Sequence, residues 1–237
     1  MKPLRICIVA PVATAAYNQR LLDAVQPVMP PDVEVSVRNI STGHDCIEYR
    51  LDWLHNGYPV VQLAREIERE GHDGIWLSDF DMCGVEAARE VIDIPILGGF
   101  PPAAFTALAL SERLSIMTIL PSTLAMQQGH MQAYGLQDSF ASIRSIDCPV
   151  GDLDKLDKVV ERTFQAAMLA VQEDGAQSIL LGCTGFVGVA ARVTALLEDA
   201  LHTYVPVIDP NQAGFSFLVS LVRMRLRPSR ACYSKHS

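Results

Sequence analysis

The chain has 237 residues, with 19 Lys and Arg against 27 Asp and Glu, for a net charge of −8. Its 49% hydrophobic and 19% charged residues exclude a disordered or collagen-like chain, and the length suffices for a buried core without staples. The acidic balance argues against a nucleic-acid or anionic membrane surface, no apolar run reaches the ~18 residues of a membrane span, and the start does not read as a secretory leader.

Leu4 to Ala10 is an apolar run of strand length, followed by a helical stretch from about Ala15 to Val28 and a second strand, Val33 to Asn39. Tyr58 to Glu70 has the apolar stripe of a helix, ended by Gly71-His72-Asp73-Gly74. A strand at Ile75 to Ser78, a helix at Val85 to Val91 and a strand at Ile94 to Leu97 follow. The second half starts again with strands at Leu114 to Leu120 and Ala141 to Ile146. A long helix, Asp154 to Glu173, precedes strands at Ser178 to Cys183 and Val205 to Asp209. Gln212 to Val222 is a closing helix, and the basic stretch from Arg223 to Lys235 reads as a solvated, frayed terminus.

Alternating strands and helices predict parallel sheets covered by helices. The landmarks also repeat: Leu114 echoes Leu4, Ser178 echoes Gly74 and Val205 echoes Ile94, at offsets of 110, 104 and 111 residues. The expected architecture is therefore α/β, with two similar domains, each a four-stranded parallel sheet flanked by helices, and a cleft between them. Residues 1–98 and 99–211 form these domains, and 212–237 is a helix and tail packing on the first.

Ligands of open parallel sheets sit beyond the carboxyl ends of the strands. Cys183 occupies such an end, and backbone N–H groups with a helix start beside it would lower its pKa and make it a base or nucleophile. Gly182 and Gly185 allow close approach, and Thr184 offers a hydroxyl. Asp79 holds the matching place in the first half, as a catalytic group or as a solvated helix cap, with Ser78 and Phe80 beside it. Cys83, four residues on, can reach the same cleft. Thr14, Ser122 and Thr123 follow the first strand of each half, where hydroxyls bind an anion or cap a helix. Six histidines lack metal-ligand spacing, and no nucleotide-binding glycine loop is present, so no cofactor or metal is expected. Six widely spaced cysteines without CxxC suit a reducing, cytoplasmic setting. Trp53 and Tyr58 are candidate contacts of a homo-oligomer.

Arg5 to Pro11, Ile47-Glu48, Gly84 to Arg89 with Ile94-Pro95-Ile96, Leu181 to Gly185 and Pro206 to Pro210 resemble the aspartate/glutamate/hydantoin racemase superfamily, closest to its hydantoin branch. The resemblance implies two α/β domains around a cleft. It also implies proton transfer next to a carboxylate or carbonyl by two cysteines, one per domain, without pyridoxal phosphate or metal. Cys183 matches the second-domain cysteine, with Thr184 beside it; the first falls on Asp79. Further departures are Met82-Cys83-Gly84 for Asp-Pro-Gly, Phe100-Pro101-Pro102 for a Glu, and Ala10-Pro11-Val12 for Asn-Pro-Asn. Three readings stay open. The first is a racemase or epimerase of small amino acids or hydantoin-like rings, using Asp79 and Cys183. The second is a decarboxylase or lyase with Cys183 as sole proton donor, and the third a non-catalytic binder of small carboxylates or cyclic amides.

Overall fold

The computed structural model describes residues 3–235; the ends of the expected domain spans at 1–2 and 236–237, His236 included, lie outside them. Strands β1 (Leu4–Ala10), β2 (Val33–Asn39), β3 (Gly74–Leu77) and β4 (Ile96–Leu97) form a parallel sheet in the order β2-β1-β3-β4. Strands β5 (Leu114–Thr118), β6 (Phe140–Ser145), β7 (Ser178–Leu181) and β8 (Val207–Ile208) form a second in the order β6-β5-β7-β8. The orders are the same, so the sequence repeat is a repeat of topology. Ile8 pairs with Trp76 as Ile116 pairs with Leu180.

Helices α1 (Asn18–Val25), α2 (Arg50–Arg69), α3 (Val85–Arg89) and α4 (Phe100–Leu108) belong to the first half of the chain. The second half holds α5 (Pro121–Ala133), α6 (Leu156–Gln172), α7 (Val189–Leu201) and α8 (Pro210–Arg223). Central strands covered on both faces need unbroken apolar runs, and β3 and β7 are buried at every residue. One face of the first sheet packs on Leu63, Ala64 and Ile67 of α2 with Val85 and Ala88 of α3. The other takes Leu21 and Val25 of α1, and also Phe215, Leu218 and Val219 of α8. Conversely, Phe100, Ala103, Ala104 and Ala107 of α4 pack against Leu114, Ile116 and Leu180 of the second sheet. Thus α4, which follows β4 of the first sheet, covers the second sheet, and α8, which follows β8 of the second, covers the first.

Several element bounds differ from expectation. The second helix starts at Arg50 rather than near Tyr58, because Pro59 lies inside it instead of opening it. Asp52 holds the true start, accepting from the Glu48 and Tyr49 N–H groups at 3.1 and 3.0 Å. Helix α5 opens on Pro121 and α4 carries Pro101 and Pro102 in its first turn, where the missing N–H has no helical partner. The tail is tied down rather than frayed: Arg230 Nη1 donates to the Arg89 carbonyl and Nη2 to Asp93 Oδ1, both at 2.7 Å. Lys235 and Arg230 together hold the Asp93 carboxyl down to about 2. Trp53 is half-buried, with its Nε1 donating to the Asp81 carbonyl at 2.8 Å, and Tyr58 is exposed. Among the described residues no helix is long and apolar enough to cross a membrane.

The docking of α8 depends on Gly214, where a Cβ would lie 2.1 Å from the Trp76 ring. Gly214→Ala is therefore expected to lower unfolding stability by about 1–3 kcal/mol or more through overpacking, read as a fall in midpoint by thermal or urea denaturation. An unchanged midpoint would show that α8 does not hold Trp76 in this way.

Candidate active site

The ends of β3 and β7 open on one cleft, with an empty volume of about 630 Å³ including its solvent-filled mouth. The first domain lines it with Ala10 to Val12, Tyr17, Arg20, Leu21, Cys46, Ile47, Ser78 and Asp79. The second contributes Val150, Leu153, Cys183, Thr184, Gly185 and Val187. Arg20 and Asp79 are the only charged side chains in that lining.

Asp79 is 7% exposed. Its Oδ2 accepts from the Cys83 N–H at 2.7 Å and its Oδ1 from the Asp81 N–H at 3.2 Å. Burial, with the charge of Asp81 added, pushes its carboxyl up to about 6. Cys83 supplies that N–H from a fully buried position in the first core, so it is not a mobile cleft thiol.

The Cys183 thiol behaves opposite to expectation. Burial pushes it up to about 12, and the charges of Asp79 and Asp81 push in the same direction. The helix that was to lower it begins only at Val189, leaving one N–H donated to Sγ, from Gly185 at 3.3 Å. Near neutral pH the cleft therefore presents an ionised carboxylate and a neutral thiol: one ready base and one ready acid.

Ser78 and Thr184 face the cleft but their hydroxyls are engaged. Thr184 Oγ1 donates to the Ser78 carbonyl at 3.0 Å, and Ser78 Oγ to Asn211 Oδ1 at 3.4 Å. Asn211 Nδ2 closes the triangle by donating to the Thr184 carbonyl at 2.8 Å. The buried first turn of α8 thus clamps both strand ends together. Gly185 lines the wall, where a Cβ would lie 2.6 Å from Leu153 Cδ1.

The other expected binding residues lie outside the lining. Phe80 is buried edge-on against Phe100, with ring centroids 5.7 Å apart. Thr14 Oγ1 accepts from the Ala16 N–H at 3.2 Å, a local turn. Ser122 Oγ donates to the Glu48 carbonyl at 2.7 Å, and Thr123 Oγ1 to the Leu120 carbonyl at 2.8 Å. Sequence reasoning missed Arg20, whose Nη2 reaches across to the Leu153 and Gly185 carbonyls at 3.0 and 3.2 Å, and it missed Asn211. Neither carries a local signal, because their partners lie in the other half of the chain or across a helix boundary. Among the described residues no cluster of three His, Cys, Asp or Glu side chains is arranged to hold a metal ion.

A family model described as Asp/Glu/Hydantoin racemase matches residues 6–218. A hydantoin racemase of Paenarthrobacter aurescens is 31% identical over 230 residues, covering 96% of this chain and 95% of that protein. A solved allantoin racemase from Klebsiella pneumoniae superposes with a TM-score of 0.90 at 29% identity, covering 99% of this chain and 94% of its own. An arylmalonate decarboxylase shares the fold, with a TM-score of 0.60 at 18% identity over 92% of each chain. The decarboxylase shows that two α/β domains around a cleft are not confined to racemases; the hydantoin and allantoin racemase relatives, matched over nearly their whole length, make the enzyme an isomerase. The chain belongs to the Asp/Glu/hydantoin racemase family.

Thiol reactivity follows from this environment. Exposed Cys232 should be alkylated first at pH 8 and Cys183 only slowly, gaining reactivity as pH rises toward about 12. Mass-spectrometric labelling against pH measures the order; fast labelling of Cys183, which is only half-buried, at neutral pH would contradict the neutral thiol.

Proposed function

We propose that the enzyme racemises or epimerises a small, neutral cyclic amide of the hydantoin or allantoin kind, at the ring carbon next to a carbonyl, without a cofactor. The carrying observation is a pair of proton-transfer groups, buried Asp79 and half-buried Cys183, at equivalent strand ends on one cleft. Inversion requires a proton to leave one face of the carbon and another to arrive on the opposite face. The Asp79 carboxylate takes the first, and the Cys183 thiol delivers the second. This leaves Asp79 protonated and Cys183 as thiolate, the state from which the reverse reaction starts. Transfer of one proton from Asp79 to Cys183, through water, restores the resting form.

Charge selects the substrate class. A free carboxylate in the cleft would meet Asp79, with Asp81 behind it, and the lining offers a single cation. A neutral ring avoids that repulsion, which also disfavours the single-donor decarboxylase reading for malonate-like substrates. Arg20 is held by two carbonyls through Nη2, and its remaining N–H groups serve the carbonyl oxygen on which enolate charge develops. The relatives named as hydantoin and allantoin racemases support the same class. Six free cysteines suit a reducing compartment such as the cytoplasm.

Two measurements test this reading. Asp79→Asn should reduce racemisation of a 5-substituted hydantoin or of allantoin by about 10²–10⁴-fold, followed by chiral chromatography against a buffer blank. A variant that interconverts both enantiomers at the unmodified rate would remove Asp79 from the chemistry. Because Asp79 acts as base only when ionised, kcat/KM should fall about tenfold per pH unit below an acid limb near about 6 and stay level just above it. A limb near 4, the range of an unburied carboxyl, would contradict the assignment.

A further inference from the structure

Behind Asp79 stands a polar cluster that the proton transfer itself does not use. Asp81 is 6% exposed and lies two residues beyond Asp79 in the same turn. Its Oδ1 accepts from His130 Nε2 at 2.9 Å and its Oδ2 from Gln127 Nε2 at 3.2 Å. Gln127 and His130 are three residues apart on α5, hence on one face of a second-domain helix. Gln127 Nε2 also donates to the Gly182 carbonyl at 2.7 Å, immediately before Cys183. One buried amide thus joins the turn carrying Asp79 to the turn carrying Cys183.

The arrangement is expensive for a mere domain clasp. It buries a carboxylate, and it leaves Gln127 Oε1 buried with no partner. An orphaned acceptor of this kind costs on the order of a lost hydrogen bond. Room for that oxygen exists because residue 182 is glycine; a Cβ there would lie 2.6 Å from it. Phe100 backs the His130 ring with centroids 5.2 Å apart, and α2 contributes only the Trp53 Nε1 donor to the Asp81 carbonyl.

We infer that Asp81, His130 and Gln127 form a positioning device that fixes the spacing of the two proton-transfer residues and, through the opposed effects of Asp81 and His130, sets how readily Asp79 ionises. The inference rests on the reading of Asp79 as a base. The titratable groups near Asp81 are Asp79 and Cys83 of its own turn, Cys183 beyond β7 and His130 of α5, while the charge of Arg20 of α1 also acts on Cys183. The charge of Asp81 opposes ionisation of Asp79, and the N–H donated by His130 offsets part of that charge.

Two variants should therefore act in opposite directions. Asp81→Asn keeps the shape and an acceptor for His130 but removes the charge, together with the acceptor for Gln127 Nε2, so Asp79 should ionise about one pH unit lower. His130→Phe keeps a ring against Phe100 but removes the donor, so Asp79 should ionise at higher pH than in the unmodified protein. The readouts are the acid limb of kcat/KM and, without substrate, the midpoint of the Asp79 carboxyl by carbon-13 NMR, assigned by its loss in Asp79→Asn. Opposite displacement of both readouts supports the inference. Loss of turnover with the carboxyl midpoint unmoved in both variants overturns it and leaves a structural clasp. A midpoint that moves while the limb does not upholds the hold on Asp79 and overturns instead its assignment as base.

Discussion

Removing a carboxyl and a thiol from water at equivalent ends of two equivalent strands places opposite demands on the two groups. Burial disfavours the charged form of each, yet their ordinary values differ by several units. The same desolvation therefore leaves the carboxyl at about 6 and the thiol at about 12. Near neutrality they stand on opposite sides of their titrations, and the site is polarised before any substrate enters. A symmetric pair of cysteines would need some further device to decide which one is ionised. In the proposed mechanism chemical identity decides it, because a carboxyl and a thiol raised by the same burial remain on opposite sides of neutrality.

That polarisation lasts only while the cleft keeps its shape, and the ties between the domains surround it. Asn211 clamps the two strand ends from below. Arg20 crosses from α1 to the Leu153 and Gly185 carbonyls. Glu48, in the segment before α2, accepts the Val150 N–H through Oε1 at 2.7 Å and the Ser122 hydroxyl through its carbonyl. Gln127 joins the two loops from behind. With α4 covering the second sheet and α8 the first, the chain crosses twice between the sheets, and these packed helices back the hydrogen bonds that space Asp79 and Cys183.

The parts legible in the sequence were those whose cause is local. β1, β3, β5 and β7 are covered on both faces, so each reads as an apolar run. Their repetition revealed the paired sheets, and the residues that end β3 and β7 revealed positions 79 and 183. Pro59 hid the first turns of α2 because a proline usually opens a helix rather than continuing one. The thiol of Cys183 was misjudged in sign because the deciding influences, burial and the charges of Asp79 and Asp81, come from about a hundred residues away. Arg20, Gln127 and His130 escaped for the same reason. Ser78 and Thr184 line the cleft, but the partners of their hydroxyls show a bracing use that residue type alone does not reveal.

Two different groups working on opposite faces of one carbon leave an isotopic signature. The most direct test starts from each pure enantiomer of a 5-substituted hydantoin in deuterated buffer and stops at early conversion. The isotope at the stereocentre is then read by NMR in product and in recovered substrate, after correction for the buffer blank. With Asp79 taking the proton and Cys183 delivering another, the product carries deuterium while the recovered substrate keeps its protium. Product that retains the original protium would show a single base returning the same proton, and would contradict the account.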